Sequence, residues 1–364
     1  MRICYYGKSL TKLHITGVER VAEELLRAMA AQPGVEIIVL ARRFARTPDV
    51  EGIIYRRAWW LNDLSYSIFF GLVARLLRCD RMLTTLSLPC LVPLGLPQAV
   101  CIHDLAWKRF PERFTWLQLA YFHAIHRASA WLAQLLYCPS QATADDLKTF
   151  FRPAGHVAIV PWGADHLPSA PPDAAIELFR QRFGIDLTLE RVVVTIGTLQ
   201  PRKGYAVVLD AIARARSPLL YVIVGRRGWL ADEVVSRIQN FEVTAPPDKR
   251  VVWIDDASDE IIASILSAAR LFVLASDYEG FGLPVVEAMR AGCPVAVADN
   301  SSLRELIDAN QPSFSSHDAD ALVTIIDRVF DDPQFASEQR SLSINRSNHY
   351  RWAHSASLLT EFMH

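Results

Sequence analysis

The chain has 364 residues, 51% of them apolar and 21% charged, with a formal net charge of −1. That length predicts two domains of ordinary size, and that composition excludes a disordered, collagenous or disulfide-stapled chain. The near-neutral total hides an asymmetry. Residues 1–165 carry 19 Lys and Arg against 13 Asp and Glu, and the remainder 19 against 26. A surplus of six over 165 residues is too thin for a nucleic-acid groove, so no nucleic-acid partner is expected.

In chain order, short apolar runs alternate with helix-like stretches. Strands are predicted at 2–6, 35–40, 99–102, 135–138 and 157–160, with helices near 17–31, 113–131 and 141–150. The first run, Met1-Arg2-Ile3-Cys4-Tyr5-Tyr6, reads as a strand and not as a secretion signal, so a cytoplasmic location is expected. Residues 82–101 are uncharged, but Pro89, Pro93 and Pro97 argue against a spanning helix. A Pro-rich break at 167–172 separates the first run of elements from a second, with strands at 191–196, 219–224, 251–254, 271–274 and 294–297. Residues 168–173 and 310–318 are the segments least able to hold order. The pattern predicts two α/β domains with parallel sheets facing a central cleft: 1–165, and 175–345, with a last helix at 350–364 packing back on the first. The six cysteines lie far apart inside apolar runs, which predicts buried thiols and no metal site.

Chemistry is expected just after strands. After 271–274 comes Asp277-Tyr278-Glu279-Gly280-Phe281-Gly282-Leu283-Pro284-Val285-Val286-Glu287. Two glycines make a tight loop and Pro284 suits a first helical turn, so backbone N–H groups around Phe281 to Val285 can receive a diphosphate. Glu279 and Glu287 flank it, placed to accept hydrogen bonds from hydroxyls. After 191–196 comes Gly197-Thr198-Leu199-Gln200-Pro201-Arg202-Lys203-Gly204, whose adjacent cations can neutralise charge on a departing phosphate without a metal. Each motif alone reads equally well as an ordinary turn.

Together these motifs, with Thr16-Gly17-Val18 and the pair His103-Asp104, resemble retaining glycosyltransferases of family 4, which have the GT-B fold, and in particular their mannosyltransferase-like branch. The resemblance implies that Glu279 meets the donor sugar, Glu287 the ribose, and Arg202 and Lys203 the diphosphate, with backbone N–H groups supplied by Phe281, Gly282 and Leu283. It implies further that Gly17 lets the donor approach the first domain's backbone, that His103 lies near the reaction centre, and that Gly225 belongs to a loop near the nucleotide. On the same basis the departing phosphate oxygen takes the acceptor's proton, and no side chain is assigned as nucleophile. Asp145-Asp146, Asp255-Asp256 and Asp331-Asp332 read as caps or turns, Trp229 as packing, and Trp352 as structural.

The expected function is transfer of a hexose, mannose from GDP-mannose, to a glycan or polyprenyl-diphosphate-linked acceptor in cell-surface polysaccharide assembly, with no cofactor. UDP-glucose or another nucleotide hexose is the alternative donor; a GT-B nucleotide-sugar 2-epimerase or a non-catalytic binding subunit is the alternative of another class. The acceptor loops near 8–16, 42–66 and 104–114 match no specific pattern. The aromatic segment 59–72, with Arg42, Arg43, Arg46, Arg56, Arg57, Arg75 and Arg78 around it, suits an anionic membrane surface, which makes peripheral association with the inner face of the membrane a further expectation. Core packing explains its apolar residues equally well. Neutralising Arg56 and Arg57 is then expected to abolish co-sedimentation with anionic vesicles.

Overall fold

The computed structural model describes every residue except 13, 14, 46, 48, 49, 169–172 and 188–190, and the side chains of 173–176 and 178. Arg46 and most of the Pro-rich break therefore lie outside the described residues. The chain divides into two domains, Met1–Gly163 with Arg351–His364, and Ala164–Tyr350.

The first domain is built on a seven-stranded parallel sheet of β1 (Arg2–Tyr6), β2 (Glu36–Ala41), β3 (Ile53–Arg57), β4 (Arg81–Thr84), β5 (Gln98–Cys101), β6 (Leu135–Cys138) and β7 (His156–Ile159), in the order β3-β2-β1-β4-β5-β6-β7. Its inner strands are buried along nearly their whole length because helices cover both faces. On one side Tyr66, Phe70 and Ala74 of helix Asp63–Leu76 join Cys4, Tyr6, Ile38 and Leu40 in one core. Tyr6 and Tyr66 stack there with ring centroids 4.0 Å apart. Val100, Ile102, Leu136 and Cys138 meet Trp107, Ala130 and Leu147 in a second core. The last helix, Trp352–Met363, packs on helix Gly17–Ala30, and Trp352 stacks on Trp162 at 6.4 Å, which is the structural role read for it. The uncharged stretch 82–101 contains most of β4 and all of β5. Interior strands explain its apolarity, and among the described residues no helix is long and apolar enough to cross a membrane.

The second domain holds a six-stranded parallel sheet of β8 (Val192–Ile196), β9 (Leu219–Val224), β10 (Lys249–Ile254), β11 (Leu271–Leu274), β12 (Val295–Ala298) and β13 (Ser313–Phe314), in the order β10-β9-β8-β11-β12-β13. The order reverses between β8 and β11, so the loops leaving their carboxyl ends diverge and leave a crevice at that point. The expectation of poor order at 310–318 fails in the structure. β13 pairs with β12 there, and Asp318 caps the next helix by accepting from Ala321 N at 2.9 Å. All six cysteines are buried free thiols.

Candidate donor site

The two motifs of the second domain meet at the sheet's switch point. The β8 loop ends in a short 3-10 turn, Pro201–Lys203, and the β11 loop runs to helix Leu283–Arg290; Asp277 N donates to Arg202 O at 2.8 Å and stitches them together. Lys203 Nζ lies 2.5 Å from Glu279 Oε1, which also accepts from Ser276 Oγ at 2.6 Å. Arg202 donates to Tyr278 O at 2.8 Å and stands 3.6 Å from Glu279 Oε2. Burial alone would raise the Glu279 carboxyl; Lys203, Arg202 and the Ser276 hydroxyl outweigh it and hold the group at about 2. Glu279 is therefore a fixed anion at neutral pH, aimed by its partners and able to accept hydrogen bonds from sugar hydroxyls.

The loop is braced from β12. Ser302 Oγ donates to the carbonyls of Glu279 and Phe281 at 2.8 and 2.9 Å, Glu279 N donates to Ser301 Oγ at 3.0 Å, and Asn300 Nδ2 donates to Ser276 O at 2.9 Å. Gly282, at φ +99, supplies the left-handed turn into the helix, and a Cβ there would press on Leu303 and Leu306. Phe281 is buried against the edge of Tyr350, so its ring is engaged in packing. In the helix's first turn Pro284 has no N–H and Val285 N donates to Gly282 O at 2.9 Å, which leaves the N–H of Leu283 without an intrahelical acceptor.

Glu287 does not join the Lys203 cluster. Its Oε1 lies 3.0 Å from His166 Nε2, and both side chains are nearly buried. His166 belongs to no recognisable motif, and the sequence offers no signal for it. Gly225 has a packing reason of its own, since a Cβ there would stand 1.8 Å from the carbonyl of Gly197. Nearby Trp229 is 49% exposed.

In the first domain, Gly17 opens helix Gly17–Ala30, and a Cβ built on it meets nothing within 4 Å. The fold leaves that space open without requiring a glycine. Behind it Glu19 is buried, accepting from Thr16 N at 3.1 Å and paired with Lys12 at 2.5 Å. Burial works to raise its carboxyl, but Lys12 and Thr16 prevail and lower it. His103 follows β5, its Nε2 2.6 Å from Thr85 O. A carbonyl only accepts, so Nε2 carries the proton and Nδ1 of the neutral ring is an acceptor. Burial pushes the ring below its ordinary 6.5, against the upward pull of Thr85 and of the carboxylates of Asp104 and Glu19. Asp104 itself holds a turn, accepting from Ala106 N at 3.0 Å. His103 and Asp104 line a cavity of about 330 Å³ whose walls include Lys8, Asp63, Trp107 and Tyr121.

Of the acidic pairs, Asp332 caps helix Pro333–Ser347 as expected, accepting from Phe335 N at 3.0 Å. Asp146 is instead inside helix Gln141–Phe151 and ion-paired with Arg109, and Asp256 pairs with Arg226 at 2.7 Å.

Two family profiles match, and between them they span nearly the whole chain: "Glycosyltransferase Family 4" over residues 15–166 and "Glycosyl transferases group 1" over residues 177–347. The chain belongs to the family 4 glycosyltransferases. This glycosyltransferase is 27% identical over 273 residues to the serotype-specific mannosyltransferase WbdA of Escherichia coli, a match covering 70% of this chain and 31% of WbdA. The aligned part is thus about a third of that relative. The O-antigen chain mannosyltransferase B of Escherichia coli is 25% identical over 307 residues, 82% of this chain and 74% of the relative. Among solved structures, the sucrose-phosphate synthase of Thermosynechococcus elongatus superposes with a TM-score of 0.78 at 20% identity, covering 99% of this chain and 98% of that one. Anabaena HepE, in complex with UDP and glucose, does so with a TM-score of 0.71 at 18% identity over 99% and 98% of the two chains. These likenesses show the GT-B fold of a glycosyltransferase.

The family motifs account for Arg202, Lys203, Glu279 and Glu287. They do not name the residues that hold them: Ser276, Ser301, Ser302 and His166.

Proposed function

We propose that this glycosyltransferase moves mannose from GDP-mannose, with retained configuration and without a metal, onto a glycan or polyprenyl-diphosphate-linked acceptor in cell-surface polysaccharide assembly. The observation that carries the donor site is the buried cluster of Lys203, Arg202 and Glu279 at the sheet's switch point. Its net charge is one positive, and it adjoins a helix N-terminus, so it can favour growing negative charge on a departing diphosphate. Lys203 and Arg202 take the role that a divalent cation would otherwise have. Glu279, kept ionised, accepts from hydroxyls of the transferred sugar and fixes the face it presents. Glu287, steadied by His166, accepts from the ribose. Backbone N–H groups at Phe281, Gly282 and Leu283 receive the diphosphate, and Gly225 borders the nucleotide.

In the first domain the open space at Gly17 admits the donor, and the Nδ1 acceptor of His103 orients a hydroxyl near the reacting carbon. The acceptor hydroxyl bonds to the sugar's anomeric carbon as the bond to the diphosphate breaks, its proton passes to the departing phosphate oxygen, and no side chain is assigned as nucleophile. Mannose as the transferred sugar is supported by the two Escherichia coli mannosyltransferases among its relatives.

A donor screen with GDP-mannose, GDP-glucose, UDP-glucose and UDP-galactose, read by thermal shift and slow hydrolysis, tests the reading. GDP-mannose is expected to stabilise the protein most and to be hydrolysed. Preference for a uridine donor would overturn the assignment of mannose and leave the transferase reading standing. Conversion of a donor to its epimer without an acceptor would overturn both.

A further inference from the structure

Most of the large apolar side chains exposed among the described residues come from three segments of the first domain. Helix Asp63–Leu76 is apolar on both sides. Tyr66, Phe70 and Ala74 face the core, yet Leu64, Ile68, Leu72 and Leu76, each four residues apart, form an outward row with Leu64 and Leu76 72% and 73% exposed. A helix apolar all round is ordinarily interior, and this one is not. Leu91 and Leu94 lie in the loop beside it, tied down by Leu91 N donating to Ser67 O at 2.7 Å and Arg75 Nε donating to Leu94 O at 2.6 Å. The same loop reaches helix Trp116–Leu132 through Ser129 Oγ, which donates to Ser87 O at 3.1 Å. That helix exposes Trp116 by 74%, Trp131 by 64% and Tyr121 by 53%. The three segments are therefore tied to one another, and each carries exposed apolar side chains.

The charges beside this surface identify what covers it. Residues 53–78 and 105–132 contain eight Lys or Arg and two carboxylates, Asp63 and Glu112. Asp63 is neutralised by Lys8 at 2.5 Å, and Glu112 lies 3.8 Å from Arg113. Helix Trp116–Leu132 has no acidic residue, and Arg127 lies over the ring of Trp131. Exposed Trp and Tyr with arginines beside them suit the boundary between headgroups and acyl chains, where rings sit at the interface and cations meet phosphate. A second copy of the chain would set these arginines against one another.

We propose that this surface, helix Asp63–Leu76 with the 86–97 loop and helix Trp116–Leu132, docks on an anionic lipid bilayer. The proposal rests on the exposed face and its charge, not on the donor chemistry, so either can fail without the other. The cavity holding His103 opens between these same helices, with Asp63 on one wall and Tyr121 and Ile125 on another. Docking would bring that cavity to the membrane, where a lipid-linked acceptor is carried.

The test is co-sedimentation of the full chain with vesicles of phosphatidylethanolamine and phosphatidylglycerol, and with vesicles of phosphatidylcholine alone. Binding is expected to the first, to weaken as salt rises, and to be at least about tenfold weaker to the second. Leu64→Ser with Ile68→Ser and Leu72→Ser is expected to lower partitioning at least about tenfold. Arg57→Gln with Arg127→Gln should lower it in low salt with little effect in high salt. Val243→Ser, an exposed apolar position in the second domain, should leave binding unchanged. Unaltered thermal unfolding of the variants shows that the fold survives. No binding by the intact protein, equal binding by the triple-serine variant, or a dimer that this variant dissociates without any vesicle binding would each overturn the proposal.

Discussion

Replacing Lys203 by Met removes the nearest cation from a carboxylate that has no water to fall back on. Glu279 is 8% exposed and the Lys203 side chain 11%, so the interaction is not screened as a surface pair would be. A carboxyl held at about 2 instead of 4.5 corresponds to on the order of 3 kcal/mol between its two protonation states. Arg202, at 3.6 Å, retains part of that stabilisation. Breaking a buried pair from one side costs about 3–5 kcal/mol, so Lys203→Met should fall near the lower figure. Glu279→Gln should cost a comparable amount, because the amide still accepts from Ser276 but leaves Lys203 and Arg202 without their counter-charge. The double variant should be less destabilised than the sum of the two, with a coupling of roughly 1–3 kcal/mol. Urea unfolding at neutral pH measures all three. The sign of the pH dependence follows from the same pair. A depressed carboxyl stabilises the native protein fully above about 4.5, and that contribution is lost as pH falls toward 2. Lys203→Met should therefore lose less stability than the parent across that window. A loss below about 0.5 kcal/mol in Lys203→Met, together with additive behaviour in the double variant, would refute the claim that the pair is a buried, coupled unit.

Three further outcomes are expected. Gly17→Ala should leave the unfolding midpoint unchanged or raised, because its Cβ meets nothing, yet weaken donor affinity at least about tenfold if the space belongs to a ligand; unaltered affinity would reduce this glycine to a helix start. The acid limb of the kcat/KM profile should lie below pH 6.5 in the parent and vanish in His103→Gln, since burial depresses the ring and only its neutral form has an acceptor at Nδ1; an unmoved limb would remove His103 from the reaction. His166→Ala should raise the donor KM roughly tenfold with kcat nearly kept, reflecting one lost close polar contact to Glu287, and an equal fall in kcat would place His166 elsewhere in the mechanism.

The parallel strands were legible because both faces are covered, which leaves runs such as Leu219–Val224 without a polar residue to break them. β3 escaped because it is the sheet's edge. It is only partly buried, and its sequence ends in exposed Arg56 and Arg57. β13 is only two residues long, too short for a periodic signal, and β4 merges into the uncharged stretch 82–101. The donor loop was readable from its glycines, proline and glutamates, since those residues impose a turn and a helix start. Its pairing with Lys203 was not. The two lie 76 residues apart and meet only because the chain crosses from β8 to the far edge and returns to β11. His166 left no trace for a different reason, since a histidine beside a linker has no spacing that singles it out. The aromatic segment 59–72 was legible as unusual but not as divided. Its sequence cannot say that Tyr66 and Phe70 turn inward while Trp59 and Phe69 remain in solvent.

The most direct measurement is multiple-turnover transfer from the preferred nucleotide hexose by Glu279→Gln, beside the parent and with the fold checked by thermal unfolding. If Glu279 fixes the sugar at the donor site, kcat/KM should fall by about two to three orders of magnitude while the protein stays folded. Transfer within a fewfold of the parent would contradict the donor site as placed at the carboxyl ends of β8 and β11.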